Sequence, residues 1–156
     1  EVKIISVCLS AEGNEKASET YQEIWEAEPA TKFEVSFISP TSFRLQGHSF
    51  LLPLPSLMYA GYLKKWNKYS SYEIPETILE RINDRLLISK VNLSSQVLRY
   101  SNYFQIGFTG QVILNAADYT LEERKYLSVL SRFAYYCGTG HKTTMGMGQT
   151  RVKIID

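Results

Sequence analysis

Cysteine, histidine and long apolar runs are what this chain has least of. Its 156 residues include two cysteines, Cys8 and Cys137, far apart in sequence. That spacing offers neither a paired-thiol metal site nor a disulfide framework, so a reducing cytoplasm is the expected compartment. Cys137 falls on the apolar face of a helical stretch and reads as a buried structural thiol. No apolar run approaches the roughly 20 residues that cross a bilayer, and no signal-peptide pattern opens the chain, so no membrane partner is expected. The two histidines are His48 and His141. No grouping of ligand-type residues points to a metal, no cofactor motif is present, and there is neither an internal repeat nor a low-complexity tract. From Arg124 to Ile155 there is no acidic residue at all.

What is present suits one folded domain of ordinary size. The chain is 44% hydrophobic and 13% aromatic, which excludes a disordered polymer and leaves enough apolar surface for a core. It begins Glu-Val-Lys, without methionine, as a fragment of something longer would. The formal net charge of +1 conceals a division. Residues 1–84 carry 8 Lys/Arg against 12 Asp/Glu, whereas residues 85–156 carry 9 against 4. Charge separated in this way predicts a basic face for a polyanion.

The most distinctive stretch is Tyr135–Gly148, Y-Y-C-G-T-G-H-K-T-T-M-G-M-G. A helix leads into it. Thr120 and Glu123 form a capping box, and Tyr126, Leu130, Phe133 and Cys137 share one face with Leu127 and Ala134 alongside. Gly138 stands where a left-handed residue would end that helix. After the loop, Arg151 and Lys153 alternate with Val152 and Ile154, the period of a half-buried strand. The loop has little Cβ bulk, so backbone N–H groups can approach a phosphate, with His141 and Lys142 beside them. It is not a nucleotide P-loop, because His141 separates Gly140 from Lys142 and the order is helix to strand. Nor is it a dinucleotide fingerprint, since Thr143 stands in the third glycine's place. The plain alternative is a flexible connection.

Elsewhere the pattern predicts a strand over 2–9, a loop over 11–16, and a short helix capped by Ser18 with Tyr21, Ile24 and Trp25 on one face. Phe33, Val35 and Phe37 alternate in a strand that Pro40 closes, and an irregular stretch containing Arg44 and His48 follows. A helix opens near Pro55 with Met58, Tyr62 and Trp66 inward and Lys64, Lys65 and Lys68 largely outward. Ile78, Ile82 and Leu86 mark a further helix. Residues 88–100 read as extended with Ser94-Ser95 as a kink or bulge. Phe104, Ile106 and Phe108 begin a strand that Gly107 and Gly110 interrupt and Val112–Leu114 resumes. Residues 33–155 therefore read β-α-(α)-β-β-α-β, an α+β, ferredoxin-like order: an antiparallel sheet with helices on one face and a C-terminal glycine-rich loop. Residues 1–32 would be the end of a preceding domain, or an added strand and helix.

The run F-A-Y-Y-C-G-T-G-H-K-T-T-M-G-M-G-Q resembles the C-terminal signature of the CRISPR repeat-processing endoribonucleases of the RAMP superfamily. The density lies at Gly138, Gly140, Lys142, Thr143, Thr144, Gly146 and Gly148. F-I-S-P-T-S-F-R, L-P-L-P-S-L-M-Y-x-x-Y-L-K-K-W-N and G-F-T-G are similar to other segments of the same family, so the resemblance covers about four-fifths of the chain. It implies a ferredoxin-like RNA-binding domain over 33–156 whose loop contacts CRISPR RNA. It also implies an intact enzyme that cleaves precursor CRISPR RNA in its repeats without metal. CRISPR repeat RNA is the implied partner, and the resemblance allows other CRISPR effector subunits and a homodimer. The family's usual catalytic histidine belongs to an N-terminal domain and has no counterpart here, so the catalytic residues are unassigned.

Metal-free RNA cleavage needs a proton acceptor near neutral pH and cations around the phosphorane. His48 lies in a loop, and His141 stands where many family members have arginine, which points to phosphate contact rather than proton transfer. The expected RNA-binding set is Gly138, Gly140, His141, Lys142, Thr143, Thr144, Gly146, Gly148, Arg151 and Lys153. Tyr100, Tyr103, Tyr135 and Tyr136 are candidates for base stacking. Two other readings stand beside this one: a non-catalytic RAMP-type subunit on CRISPR RNA, and an unrelated ferredoxin-like protein whose loop takes a small phosphorylated ligand.

Overall fold

A computed structural model describes residues 18–99 and 101–155. The strand and loop expected over 2–16, Cys8 and Tyr100 lie outside the described residues. In chain order the elements are α1 (Tyr21–Trp25), β1 (Lys32–Thr41), β2 (Phe43–Leu45), β3 (His48–Phe50), α2 (Pro55–Tyr69), α3 (Ile78–Arg85), β4 (Leu87–Arg99), β5 (Phe104–Asn115), α4 (Leu121–Cys137) and β6 (Thr150–Ile154), with a single 3-10 turn at Thr143–Met145. Four strands form an antiparallel sheet in the order β4-β5-β1-β6, and β2 pairs with β3 apart from it. Setting aside the β2–β3 hairpin and α3, this is the expected ferredoxin-like arrangement.

Alternation decides which face is covered. Phe33, Val35 and Phe37 of β1 are buried together with Val112 and Leu114 of β5. Over them lie Met58, Tyr59, Tyr62 and Trp66 of α2 and Leu127, Leu130 and Ala134 of α4. The Trp66 indole donates to the Tyr72 carbonyl, and the Asn67 amide brackets Ile74, donating to its carbonyl at 2.8 Å and accepting from its N–H at 3.0 Å. The Trp-Asn pair thus fixes the link from α2 to α3. The α1 segment joins the same core: Tyr21 meets Trp66 edge-on at 5.3 Å, Trp25 stacks on Tyr72 at 5.3 Å, and Glu19 pairs with Arg132 of α4.

Five local expectations are corrected. Thr20, not Ser18, caps α1: its hydroxyl accepts from the Glu23 N–H, and the Glu23 carboxylate accepts from the Thr20 N–H at 2.8 Å. Pro40 does not close β1, which runs on to Thr41 after a register shift between Phe37 and Thr41. Proline has no ladder donor, so it sits at the irregularity. The bulge in β4 lies between Ile88 and Lys90, while Ser94 and Ser95 pair in register with Thr109 and Phe108. Gly107 and Gly110 leave β5 unbroken. The stretch holding Arg44 and His48 is a tight hairpin rather than irregular chain, with Leu45 opposite His48 and positive φ at both Gln46 (48°) and Gly47 (85°). Two positive φ values in a two-residue loop match the twist of the flanking strands.

Candidate nucleic-acid interface

The glycine-rich loop has buried ends and an exposed middle. The capping box at Thr120 and Glu123 starts α4 as expected, with the Arg81 guanidinium fastened on the Glu123 carboxylate at 2.8 Å. At the other end Gly138 has φ 65° and ψ 168°. That is a mirror-extended conformation rather than the left-handed helical one expected, and it is open to glycine almost alone. Thr139 and Thr150 are fully buried and Met147 nearly so, whereas Thr144, Met145 and Gly146 are exposed.

Close backbone approaches hold the loop to the end of β1. The His141 N–H donates to the Ser42 carbonyl at 2.7 Å, the Gly148 N–H to the Pro40 carbonyl at 3.1 Å, and the Thr139 N–H to the Gly148 carbonyl at 2.8 Å. A Cβ at Gly140 would stand 2.3 Å from the Ser42 oxygen, and one at Gly148 would stand 2.0 Å from the Thr139 oxygen. Both residues also have positive φ, so glycine is required twice over. Beneath the loop, three hydroxyls form a buried chain. Thr150 Oγ1 donates to the Gly148 carbonyl at 2.9 Å and lies 2.6 Å from Thr139 Oγ1, which also meets the Tyr62 hydroxyl. Each hydroxyl has one proton. The donors therefore run Tyr62 to Thr139 to Thr150 to the Gly148 carbonyl.

This anchoring leaves His141 and Lys142 half-buried beside the exposed turn over 144–146. Lys142 takes a left-handed conformation, φ 57°, at the start of the 3-10 turn that contains Thr143 and Thr144. Its ammonium lies 4.7 Å from the centre of the Tyr103 ring, bringing the outer end of the β4–β5 ribbon against the loop. Among the described tyrosines considered for stacking, Tyr103 is set beside a loop cation. Tyr136 instead donates to Glu19 at 3.0 Å and meets Tyr135 edge-on. The expected set divides in two. Arg151 and Lys153 alternate with Val152 on the sheet face away from the helices, where Arg151 is registered opposite Ser36 and Lys153 opposite Glu34. They stand apart from the exposed turn of the loop. His48 is exposed on its hairpin.

Two cations not in the expected set adjoin the loop. A solvent-open cleft of about 260 Å³ runs between the loop, β2 and α2, with Arg44, Lys65 and His141 on its walls and Gly61, Gly138 and Gly140 among its remaining lining. The Lys65 ammonium donates to the Cys137 carbonyl at 2.6 Å, neutralising the last turn of α4. Cys137 packs against the core but is only half-buried, short of the buried thiol expected, and burial pushes its thiol up to about 12 with Lys65 pulling the other way. A larger hollow of about 420 Å³ lies on the open sheet face, but the residues lining it are uncharged. Among the described residues no group of three or more His, Cys, Asp or Glu could hold a metal ion. No helix among them is long and apolar enough to cross a membrane.

Comparison with known proteins agrees with this geometry. Residues 35–150 match the family model for CRISPR-associated endoribonuclease Cas6. The Cas6 endoribonuclease of Streptococcus thermophilus is 26% identical over 128 residues, covering 81% of this chain and 52% of that protein. That of Mycobacterium tuberculosis is 27% identical over 139 residues, covering 85% and 43%. Among solved structures, a Cas6 product complex superposes with a TM-score of 0.80 at 30% identity, covering 86% of this chain and 56% of that one. A Thermus thermophilus Cas6 gives 0.79 at 27%, covering 86% and 58%. The chain spans about half the length of the curated relatives it matches. With the family's match running from β1 through the glycine-rich loop to the start of β6, the chain belongs to the CRISPR-associated endoribonuclease Cas6 family.

Proposed function

We propose that this chain is the C-terminal, RNA-binding half of an endoribonuclease that cleaves precursor CRISPR RNA in its repeats, working in the cytoplasm. Residues 33–156 form the RNA-binding domain in this reading, and residues 1–32 lead into it from a preceding domain or as an added strand and helix. The observation that carries it is the loop 138–148, pinned at both ends by backbone hydrogen bonds and a buried hydroxyl chain, while Thr144 to Gly146 are exposed and Lys142 beside them is half-buried. Such a loop meets a phosphate backbone at little cost in ordering. Lys142 supplies charge, Thr143 and Thr144 supply hydroxyl donors, and Tyr103 offers a ring face to an unpaired base. A relative solved as a product complex supports RNA as the ligand.

A second reading, a non-catalytic subunit that assembles on CRISPR RNA with other effector subunits, is favoured by one fact: the chain's two histidines are His141, in the loop, and His48, on an exposed hairpin. The test is binding and cleavage of repeat RNA from the chain's own CRISPR array, in EDTA. Binding without cleavage is expected of the RNA-gripping half. Failure to prefer the repeat over shuffled RNA of equal length would overturn the proposal.

A further inference from the structure

The cleft between the loop, β2 and α2 is a feature that the expected set of RNA contacts reaches only from the loop side, through Gly138, Gly140 and His141, leaving out Arg44 and Lys65. We propose that it is a clamp for a single phosphate group, filled by one backbone phosphate of the RNA, with Arg44 and Lys65 as its charged jaws and His141 at its mouth. The proposal rests on the RNA-binding reading above and extends it to residues that reading did not contain.

Three observations point the same way. First, the charge is of one sign: Arg44 and Lys65 come from two different elements, His141 adds a ring N–H from a third, and no carboxylate lines the cleft. The nearby C-terminus of α4 carries a partial negative charge of about half a unit, which disfavours an anion. Lys65 is already hydrogen-bonded to the Cys137 carbonyl there, and its ammonium retains further protons for a ligand. With Arg44 added, the field in the cleft stays positive.

Second, Gly61 lies in the interior of α2, where glycine is disfavoured relative to alanine. Packing does not demand it: a Cβ there would meet nothing within 4 Å. Leu57, Gly61 and Lys65 are spaced by four, so they form one stripe along the cleft. The missing side chain leaves room on this wall for something that is not protein.

Third, the size fits a group rather than a molecule. About 260 Å³ open to solvent is smaller than the roughly 300–1,000 Å³ of sites that enclose whole small ligands. A phosphate with part of its sugar, belonging to a strand passing over the cleft, matches that shape. The His141 N–H bond to Ser42 and the Lys65 bond to Cys137 hold the walls in place before any ligand arrives.

The test is a walk of single methylphosphonate linkages, which remove one charge each, along the repeat RNA, with binding measured for the 156-residue chain. One linkage should cost about tenfold or more in affinity, as expected for losing hydrogen bonds between charged groups. Arg44→Ala and Gly61→Glu should each weaken the unmodified RNA and make that linkage silent, while Lys142→Ala should weaken binding and leave its sensitivity intact. Gly61→Glu brings a carboxylate to the cleft from a position whose Cβ meets nothing within 4 Å, so it does not depend on Lys65, whose removal also uncaps α4. If Arg44→Ala and Gly61→Glu bind like the wild type while Lys142→Ala does not, the clamp is wrong and the RNA-binding reading survives. If all three match the wild type, both are wrong. In a parallel titration with inorganic phosphate at matched ionic strength, no saturable shift of the His141 imidazole resonances is expected. A saturable shift with no sensitive linkage would assign the cleft to free phosphate and overturn its assignment to RNA.

Discussion

At the scale of single residues, the loop's glycines fall into two kinds. Gly140 and Gly148 combine positive φ with a carbonyl oxygen inside van der Waals contact of any Cβ, whereas Gly146 has positive φ (83°) but open space around it. Alanine at Gly146 should cost only the left-handed backbone term, about 1–2 kcal/mol. Alanine at Gly140 or Gly148 must also displace backbone, so each should cost more. Urea unfolding of the three variants measures the order, and equal midpoints would contradict it. Sequence alone could mark all four glycines of the loop as dense and unusual, but not separate them, because the carbonyls they meet belong to residues near in space. Lys65 and Arg44 escaped notice for the same reason: they lie on elements remote in sequence from the loop they flank.

At the scale of elements, the buried hydroxyl chain ties α2, the loop and β6 together, and its direction makes a prediction. Tyr62→Phe removes the first donor and leaves every remaining proton with an acceptor, so the loss should be about one net hydrogen bond, ~1 kcal/mol. Thr139→Val strands the Tyr62 hydroxyl without an acceptor in a fully buried site, which should cost about 1–3 kcal/mol. Denaturant titration should find Thr139→Val the more damaging, and the reverse order would refute the assigned direction. Between α3 and α4 the Arg81 guanidinium, followed by the Thr120 backbone and hydroxyl donors, holds the Glu123 carboxyl below its ordinary value. A lowered folded value adds stability that is fully present above the unfolded value of about 4.3 and is lost as pH falls through the folded one. Glu123→Gln should therefore flatten the stability profile below about pH 4 while changing the neutral plateau little in slope, as thermal melts across pH would show. The helices and the start of β1 are legible because their apolar spacing is regular, and α4 also because its capping box is conventional. The β2–β3 hairpin was not, because Gln46-Gly47 replaces the usual Asn-Gly or Asp-Gly turn. The bulge was misplaced because Ser94 and Ser95 are extended polar residues that pair in register, and nothing about Ile88–Lys90 announces a shift.

At the scale of the whole molecule, a helix-covered antiparallel sheet carries the glycine-rich loop at one end of β1. The charge division in the sequence predicts a basic face, and the structure places Arg151 and Lys153 on the sheet's open face and Lys142 in the loop beside Tyr103. Spacing along a strand shows which face a residue shares, not how that face is turned relative to a loop. The most direct test of the central claim is the salt dependence of repeat-RNA binding for the wild type and Lys142→Ala. The account predicts weaker binding for the variant and a log–log slope shallower by about 0.7–0.9, the signature of one lost phosphate contact. Identical affinities and slopes would contradict the assignment of this loop to RNA.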